Sequence, residues 1–111
     1  MRPASERDPW SPFETAAAKS FWASSRTLAA FTRGRLLLEN LHQPAEAALA
    51  FAQARSLTGA SSALAEDALA REALAWGAAG KRADAARCAN QYRTLYPEGA
   101  HLKELLRFLI P

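Results

Sequence analysis

The sequence is poor in the residues that build disulfide frameworks, β-sheets and membrane spans. Its single cysteine, Cys88, cannot form a disulfide within the chain, so the fold does not depend on an oxidising compartment. Aromatic and β-branched residues are too sparse and scattered to favour a sheet. No segment approaches the ~20 consecutive apolar residues of a membrane span. The N-terminus also lacks the apolar run of a signal peptide. We therefore expect a cytoplasmic protein without membrane insertion, or a periplasmic one if the sequence is a fragment of an anchored protein.

Charge of one sign is not concentrated in any part of the chain. The net charge is +3, but residues 1–60 carry seven Lys/Arg against five acids, and residues 61–111 carry seven against six. Local excesses of positive charge occur at Arg26, Arg33 and Arg35, and again at Lys81, Arg82, Arg87 and Arg93. A nucleic-acid-binding protein usually clusters its basic residues on one face. The dispersed pattern favours solvated helix faces, and a nucleic-acid accessory protein is the less favoured alternative.

Alanine is abundant, and it favours helices that pack at short distance. Start and stop signals divide the chain into five or six helices, because Pro12 and Pro44 suit first helical turns whereas Gly80 and Pro97 end helices. The helices are predicted at residues 11–23, 25–41, 44–57, 62–79, 82–96 and 100–110, and the first two are either separate or continuous across Ser24–Ser25. Residues 1–10 are predicted to be a flexible tail, and residues 11–111 a single all-α domain.

Apolar and small residues recur along these helices at helical spacing. The expected core stripes are Leu28, Phe31, Leu38 and Leu41; Ala47, Phe51, Ala54 and Leu57; Ala65, Leu69, Ala73 and Trp76; Ala85, Ala89 and Tyr92; and Leu102, Leu105, Leu106 and Leu109. Segments 36–57 and 74–97 repeat one pattern at a constant offset of 38 residues. In this register Phe31 aligns with Leu69, Leu38 with Trp76, and Ala47 with Ala85. Repetition at such a period indicates stacked helical hairpins, since one hairpin cannot bury its apolar face alone.

The repeated pattern resembles the tetratricopeptide repeat family. Leu69, Ala73, Trp76, Gly80, Ala85, Ala89 and Pro97 follow the family's order of residues, although Ala89 stands where an aromatic residue is usual. In the first copy, Gly34 lies one residue early. The resemblance implies a right-handed stack of antiparallel helical hairpins with a C-terminal capping helix. It also implies a concave groove that binds a peptide or a helix of a partner protein. The groove residues that it implies are Thr32, Leu36, Glu39, Asn40, Asp67, Ala70, Arg71 and Leu74.

A narrower resemblance concerns residues 30–55 and 63–99. These segments are similar to helical repeats of alanine- and arginine-rich bacterial proteins, namely anti-sigma-factor-like or FecR-like regulators and envelope-assembly proteins. Such segments bind other proteins, so this resemblance also implies a scaffold or adaptor. A self-associating structural subunit of a bacterial assembly is the alternative, because two hairpins are fewer than the ~3 repeats usually required for stability.

Residues with catalytic or metal-binding chemistry are few and lie far apart in sequence. His42 and His101 fall in different predicted elements, and no paired histidines or cysteines have metal-ligand spacing. Cys88 lies on an alanine-rich face and is expected to be a small core residue rather than a nucleophile paired with His101. Glu66 and Asp67 are adjacent, so they point about 100° apart on a helix and are interpreted as partners of the helix dipole. We expect a non-enzymatic protein with no metal and no cofactor.

Overall fold

The computed structural model describes residues 16–59 and 62–109, and throughout these ranges the regular structure is helical. The helices are α1 (Ala16–Glu39), α2 (Pro44–Ser56), α3 (Ala63–Ala78), α4 (Arg82–Leu95) and α5 (Leu102–Leu105), followed by a 3₁₀ helix at Leu106–Phe108. The predicted all-α class is confirmed. The predicted tail at residues 1–10 and the predicted helix start at Ser11 lie outside the described residues.

Helix α1 settles the question that Ser24–Ser25 left open, because it runs through both serines without interruption. Serine in a helix interior costs only a few tenths of a kcal/mol, so a pair of serines does not end a helix by itself. The predicted core stripe of this helix was wrong at both ends, since Leu28 is 56% exposed and Leu41 is 58% exposed. Apolar residues occur on every face of α1, which makes the buried face ambiguous from spacing alone.

The turns between paired helices repeat in the same register as the sequence. His42 and Gly80 occupy equivalent positions of the two copies, and both adopt positive φ, 52° and 77° respectively. The helices that follow them also begin at equivalent positions, Pro44 and Arg82. Glycine suits this left-handed conformation because it has no Cβ, whereas histidine adopts it at some cost. The α1–α2 and α3–α4 connections therefore place a left-handed residue at the same position of the two copies. Their backbone hydrogen bonds differ, because the Gln43 N–H donates to the Leu37 carbonyl oxygen whereas the Lys81 N–H donates to that of Trp76.

Successive helices pack against one another in chain order, α1 on α2, α2 on α3, and α3 on α4. A first core cluster contains Ala30, Phe31, Ala47, Ala48, Phe51, Ala54, Ala68 and Ala75. A second contains Leu69, Ala70, Ala73, Cys88, Ala89, Tyr92 and Leu105. Trp76 is partly buried and packs against both clusters. The predicted stripes of α2 and α4 are confirmed by burial at Ala47, Phe51, Ala54, Ala85, Ala89 and Tyr92, although Leu57 after α2 is only partly buried.

Equivalent positions of the two copies exchange a large and a small residue. In the first copy the Phe51 ring lies against Gly34, and a Cβ added to Gly34 would be 2.8 Å from that ring. The equivalent positions of the second copy are Glu72 and Ala89, both buried. Gly34, which lies one residue early, and Ala89, which stands in an aromatic position, therefore result from the same difference in packing between the two copies. A large side chain on the second helix requires a small one on the first, and the reverse.

The C-terminal segment differs from the single helix predicted over residues 100–110. One turn of α-helix is followed by one turn of 3₁₀ helix, which has three residues per turn rather than 3.6. The tighter turn changes the direction of the side chains after Leu105. Leu105 is fully buried, but Leu106 is 43% exposed, so the predicted stripe of leucines is only partly correct.

Among the residues that the structure describes, no helix is long and apolar enough to cross a membrane.

Candidate functional site

A row of ionisable side chains joins α1, α3 and the start of α5. We call it the charged ladder; its members are Arg35, Glu39, Arg71, Asp67, His101 and Glu104. Arg71 Nε donates to Asp67 Oδ2 at 3.1 Å, and Arg71 Nη1 lies 3.9 Å from Glu39 Oε1. On the other side of Asp67, His101 Nε2 is 3.0 Å from Oδ1. The carboxylate of Asp67 therefore connects the arginine to the histidine.

Neighbouring aromatic residues hold the central part of the charged ladder in place. The Arg71 guanidinium carbon lies 5.4 Å from the centre of the Phe31 ring, so the cation packs over a buried ring of α1. The backbone N–H of His101 donates to the Tyr92 hydroxyl at 3.0 Å. Tyr92 is fully buried, and this burial is the main reason that its pKa is raised above the usual value. The ladder thus rests on groups whose positions the core determines.

The ladder's contribution to stability is small, because its members remain accessible to water. Side-chain exposure is 31% for Arg71, 29% for Asp67 and 51% for Glu39. Ion pairs with this degree of exposure contribute between about 0 and 1 kcal/mol.

Exposed leucines lie beside the ladder on α1. Leu28 is 56% exposed and Leu36 is 50% exposed, and exposed Thr32 lies between them. Spacing of four and eight residues places these three side chains along one side of the helix, one turn apart. The surface of α1 therefore combines apolar side chains with the charges of Arg35 and Glu39.

The structure allows each predicted groove residue to be located. Thr32, Leu36, Glu39 and Asn40 are exposed, whereas Asp67, Arg71 and Leu74 are partly exposed. Ala70 is 0% exposed, and its inclusion in the groove was wrong. It belongs to the second core cluster, because its position on α3 turns it toward the side occupied by α4 and α5. Leu74 packs against the same cluster, so only part of its side chain is available to a partner.

Three members of the ladder were not predicted as partner-binding residues: Arg35, His101 and Glu104. His101 was expected to be a surface or capping residue, and it occupies the N-cap of α5 without a side-chain capping bond. Its ring instead meets Asp67, which belongs to the first turns of α3 and is distant in sequence. The local signals of the ladder were the spacings of three or four residues within Arg35–Glu39, Asp67–Arg71 and His101–Glu104, since such pairs are neighbours on a helix.

A second group of polar side chains is buried between α2, α3 and α4. Glu72 is 2% exposed and accepts hydrogen bonds from three side chains. Its Oε1 accepts from Arg55 Nη2 at 3.3 Å, and its Oε2 accepts from Trp76 Nε1 at 3.1 Å and from Cys88 Sγ at 3.3 Å. We call Arg55, Glu72, Trp76 and Cys88 the buried polar cluster. Trp76 and Cys88 were predicted to be core residues, whereas no role was predicted for Arg55 or Glu72.

The chemistry of Cys88 follows from this environment. Burial, followed by the neighbouring Glu72 carboxylate, raises the pKa of the Cys88 thiol to about 12. The sulfur is therefore protonated at neutral pH and donates its hydrogen to Glu72. Because the thiolate is the nucleophilic form of cysteine, Cys88 is poorly suited to covalent catalysis. Its fully buried position confirms the expectation of a core residue.

The arrangement of ligating residues gives no indication of a metal centre. Residues 16–59 and 62–109 contain no group of three or more His, Cys, Asp or Glu side chains placed to hold a metal ion. His42 is exposed in the turn after α1, and the ring of His101 faces the carboxylates of Asp67 and Glu104.

Comparison of the chain with family models, with curated proteins and with solved structures finds no match.

Proposed function

We propose that this chain is a non-enzymatic interaction module that holds a peptide or helix of a partner protein. The binding surface is the side of α1 and α3 that carries Leu28, Thr32, Leu36 and the charged ladder. The observation that carries the proposal is the combination of two exposed leucines with an ordered row of charges on this side. Burial of apolar surface is the main favourable term in most protein–protein association, and charged groups select the partner and its orientation.

The repeated helix pairs support this proposal. The turns at His42 and Gly80 and the helix starts at Pro44 and Arg82 fall at equivalent positions, which fits a repeat of helix pairs. A tetratricopeptide-like, right-handed stack of hairpins places the first helix of each pair on one side of the molecule. Thr32, Leu36, Glu39 and Asn40 would then come from the first pair, with Asp67, Arg71 and part of Leu74 from the second. An adaptor or scaffold built in this way binds its partner along a continuous surface.

The state of Cys88 supports a non-enzymatic role. The only thiol of the sequence is fully buried, and its pKa is about 12. The function would therefore come from the exposed surface rather than from a reactive group.

The test compares two leucines that are exposed on different sides of the molecule. Leu36 lies on the proposed surface, and Leu49, which is 61% exposed, lies on α2. Affinity purification from the native source identifies the partner, and the dissociation constant is then measured for Leu36→Glu and Leu49→Glu. A carboxylate buried at an interface without a counter-charge costs several kcal/mol, so Leu36→Glu should weaken binding about 100-fold or more. Leu49→Glu should bind as the wild type does.

The free energy of unfolding of both variants should lie within about 0.5 kcal/mol of the wild-type value, as is usual for surface substitutions. Equal binding by the two folded variants would move the binding surface away from α1. Leu74→Glu is not suitable for this test, because Leu74 packs against the second core cluster and the change would also destabilise the fold. Light scattering after size-exclusion chromatography would reveal a self-associating subunit instead, and strongly salt-dependent DNA or RNA binding would indicate a nucleic-acid accessory protein.

A further inference from the structure

A pocket of about 340 Å³ lies between the first turn of α3 and the turn that joins α4 to α5. Its lining residues are Glu66, Tyr96, Pro97, Glu98 and Gly99. The lining surface is mainly apolar, and three of the five lining residues, Tyr96, Pro97 and Gly99, carry no charge. Glu66 and Glu98 contribute the charged atoms of the lining, and both are acidic.

The aromatic wall of this pocket has a defined position. The Tyr96 ring centre lies 5.2 Å from that of the buried Tyr92, at an interplanar angle of 52°. Gly99 N–H donates to the carbonyl oxygen of Tyr96 at 2.9 Å, which closes the turn beside the ring. The face of an aromatic ring has negative electrostatic potential. A ring whose position is already fixed loses little entropy when a ligand binds to it.

The two carboxylates of the pocket differ from those of the charged ladder. Asp67 pairs with Arg71 and lies beside His101, and Glu39 lies 3.9 Å from both Arg35 and Arg71. Glu66 and Glu98 form no ion pair with any other residue that the structure describes. Negative charge beside a fixed aromatic face is complementary to an organic cation, and it disfavours an anion.

We propose that this pocket receives the cationic side chain of an arginine or lysine from the partner polypeptide. The inference rests on the proposed function and adds the chemistry of one partner residue to it. Gly99, which lines the pocket, stands two residues before His101 in the turn that precedes α5, so the pocket lies near the α5 end of the charged ladder. A partner segment that follows the ladder from Leu36 toward α5 reaches the pocket and places a basic residue there.

The first experiment measures binding of one side chain without the partner. The ¹⁵N-labelled full chain is titrated with N-acetyl-arginine amide and, separately, with N-acetyl-citrulline amide, which has nearly the same shape but no charge. We expect saturable chemical-shift changes at the Gly99 amide with the arginine compound, and affinity at least tenfold weaker for the citrulline compound. Equal binding of the two compounds, or no saturable change at residues 96–99 with either arginine or lysine amide, would overturn the proposal.

Variants assign the interaction to the pocket. Glu66→Gln with Glu98→Gln should weaken binding of the arginine compound at least tenfold, whereas Glu46→Gln, an exposed acid on α2, changes the charge without altering the pocket. Tyr96→Phe keeps the ring and should retain binding, whereas Tyr96→Leu should lose it, with circular dichroism as the check on folding. A similar loss in Glu46→Gln and in the pocket variant would contradict the proposal.

A further comparison separates a polypeptide side chain from a free polyamine. Spermidine that binds more than tenfold tighter than an arginine-containing pentapeptide, with loss in the same pocket variants, would overturn the choice of a polypeptide. These measurements do not depend on Leu36. A failed pocket titration would therefore leave the proposed binding surface on α1 standing, and a failed Leu36→Glu test would leave the pocket standing.

Discussion

Removal of the Glu72 carboxylate should destabilise the fold more than any single change on the charged ladder. The side chain of Glu72 is 3% exposed, and that of Arg55 is 26% exposed. Glu72→Ala leaves Arg55, the Trp76 N–H and the Cys88 thiol without their common acceptor, and it opens a space where the carboxylate was. Breaking a buried ion pair by removing one partner typically costs about 3–5 kcal/mol.

The lower part of this range is expected here, because Arg55 is close enough to the surface to recover some hydration. Among the residues that the structure describes, Arg55 Nε already has no hydrogen-bond partner, so one buried donor is unpaired in the wild type as well as in the variant. We therefore expect Glu72→Ala to lower the free energy of unfolding by about 3 kcal/mol. Glu72→Gln keeps the shape and one acceptor oxygen but loses the charge, and should cost about 2 kcal/mol.

The assay is urea unfolding at 25 °C, followed by circular dichroism and by Trp fluorescence. A double-mutant cycle with Arg55→Met separates the interaction free energy of Arg55 with Glu72 from the cost of leaving one of the two side chains unpaired. Replacing both members by apolar residues, in Glu72→Leu with Arg55→Met, removes the unpaired charge, so the double variant should lose less stability than the two single variants together. The Trp76 N–H and the Cys88 thiol still lack their acceptor, so the double variant should remain less stable than the wild type. A Glu72→Ala variant as stable as the wild type, or a double variant whose loss equals the sum of the two single losses, would refute the reasoning.

Three further predictions concern packing and ionisation. Gly34→Ala should cost about 1–3 kcal/mol by overpacking against the Phe51 ring, and Phe51→Leu in the same chain should recover part of that loss in thermal melts. Trp76→Ala should lower the free energy of unfolding by about 3 kcal/mol, the lower end of the range for a buried aromatic, because Trp76 is only partly buried. Trp76→Phe should lower it less, because that change loses mainly the hydrogen bond to Glu72. The raised pKa of Cys88 means that the folded state holds its thiol proton more tightly than the unfolded state, so this stabilisation is complete below pH 9.0 and is lost as the pH rises toward 12. Between pH 9.0 and about 12, the urea midpoint of Cys88→Ala should fall less than that of the wild type. Parallel plots of the two midpoints against pH would show that Cys88 makes no such contribution.

The helical class and most helix boundaries could be predicted from the sequence, because they depend on residues that are neighbours along the chain. Pro44 begins α2, and Gly80 adopts the positive φ that ends the α3 segment. Ser62 caps α3 by accepting a hydrogen bond from the backbone N–H of Leu64 at 3.1 Å. Each of these signals acts over a few residues, so it can be recognised without knowledge of the packing. The constant offset between the two copies was likewise visible, since equivalent positions had similar side chains.

Tertiary structure decided which faces and which polar residues met. Leu28 and Leu41 were expected in the core but are exposed, because α1 carries apolar residues on several faces and only its packing selects one. Glu72 meets Arg55 of the preceding helix, and Asp67 meets His101 from beyond the following one. Helical periodicity fixes the angles between side chains of one helix but not the rotation of that helix against its neighbours. The charged ladder, the buried polar cluster and the pocket beside Tyr96 all depend on that rotation, so only the assembled helices could reveal them.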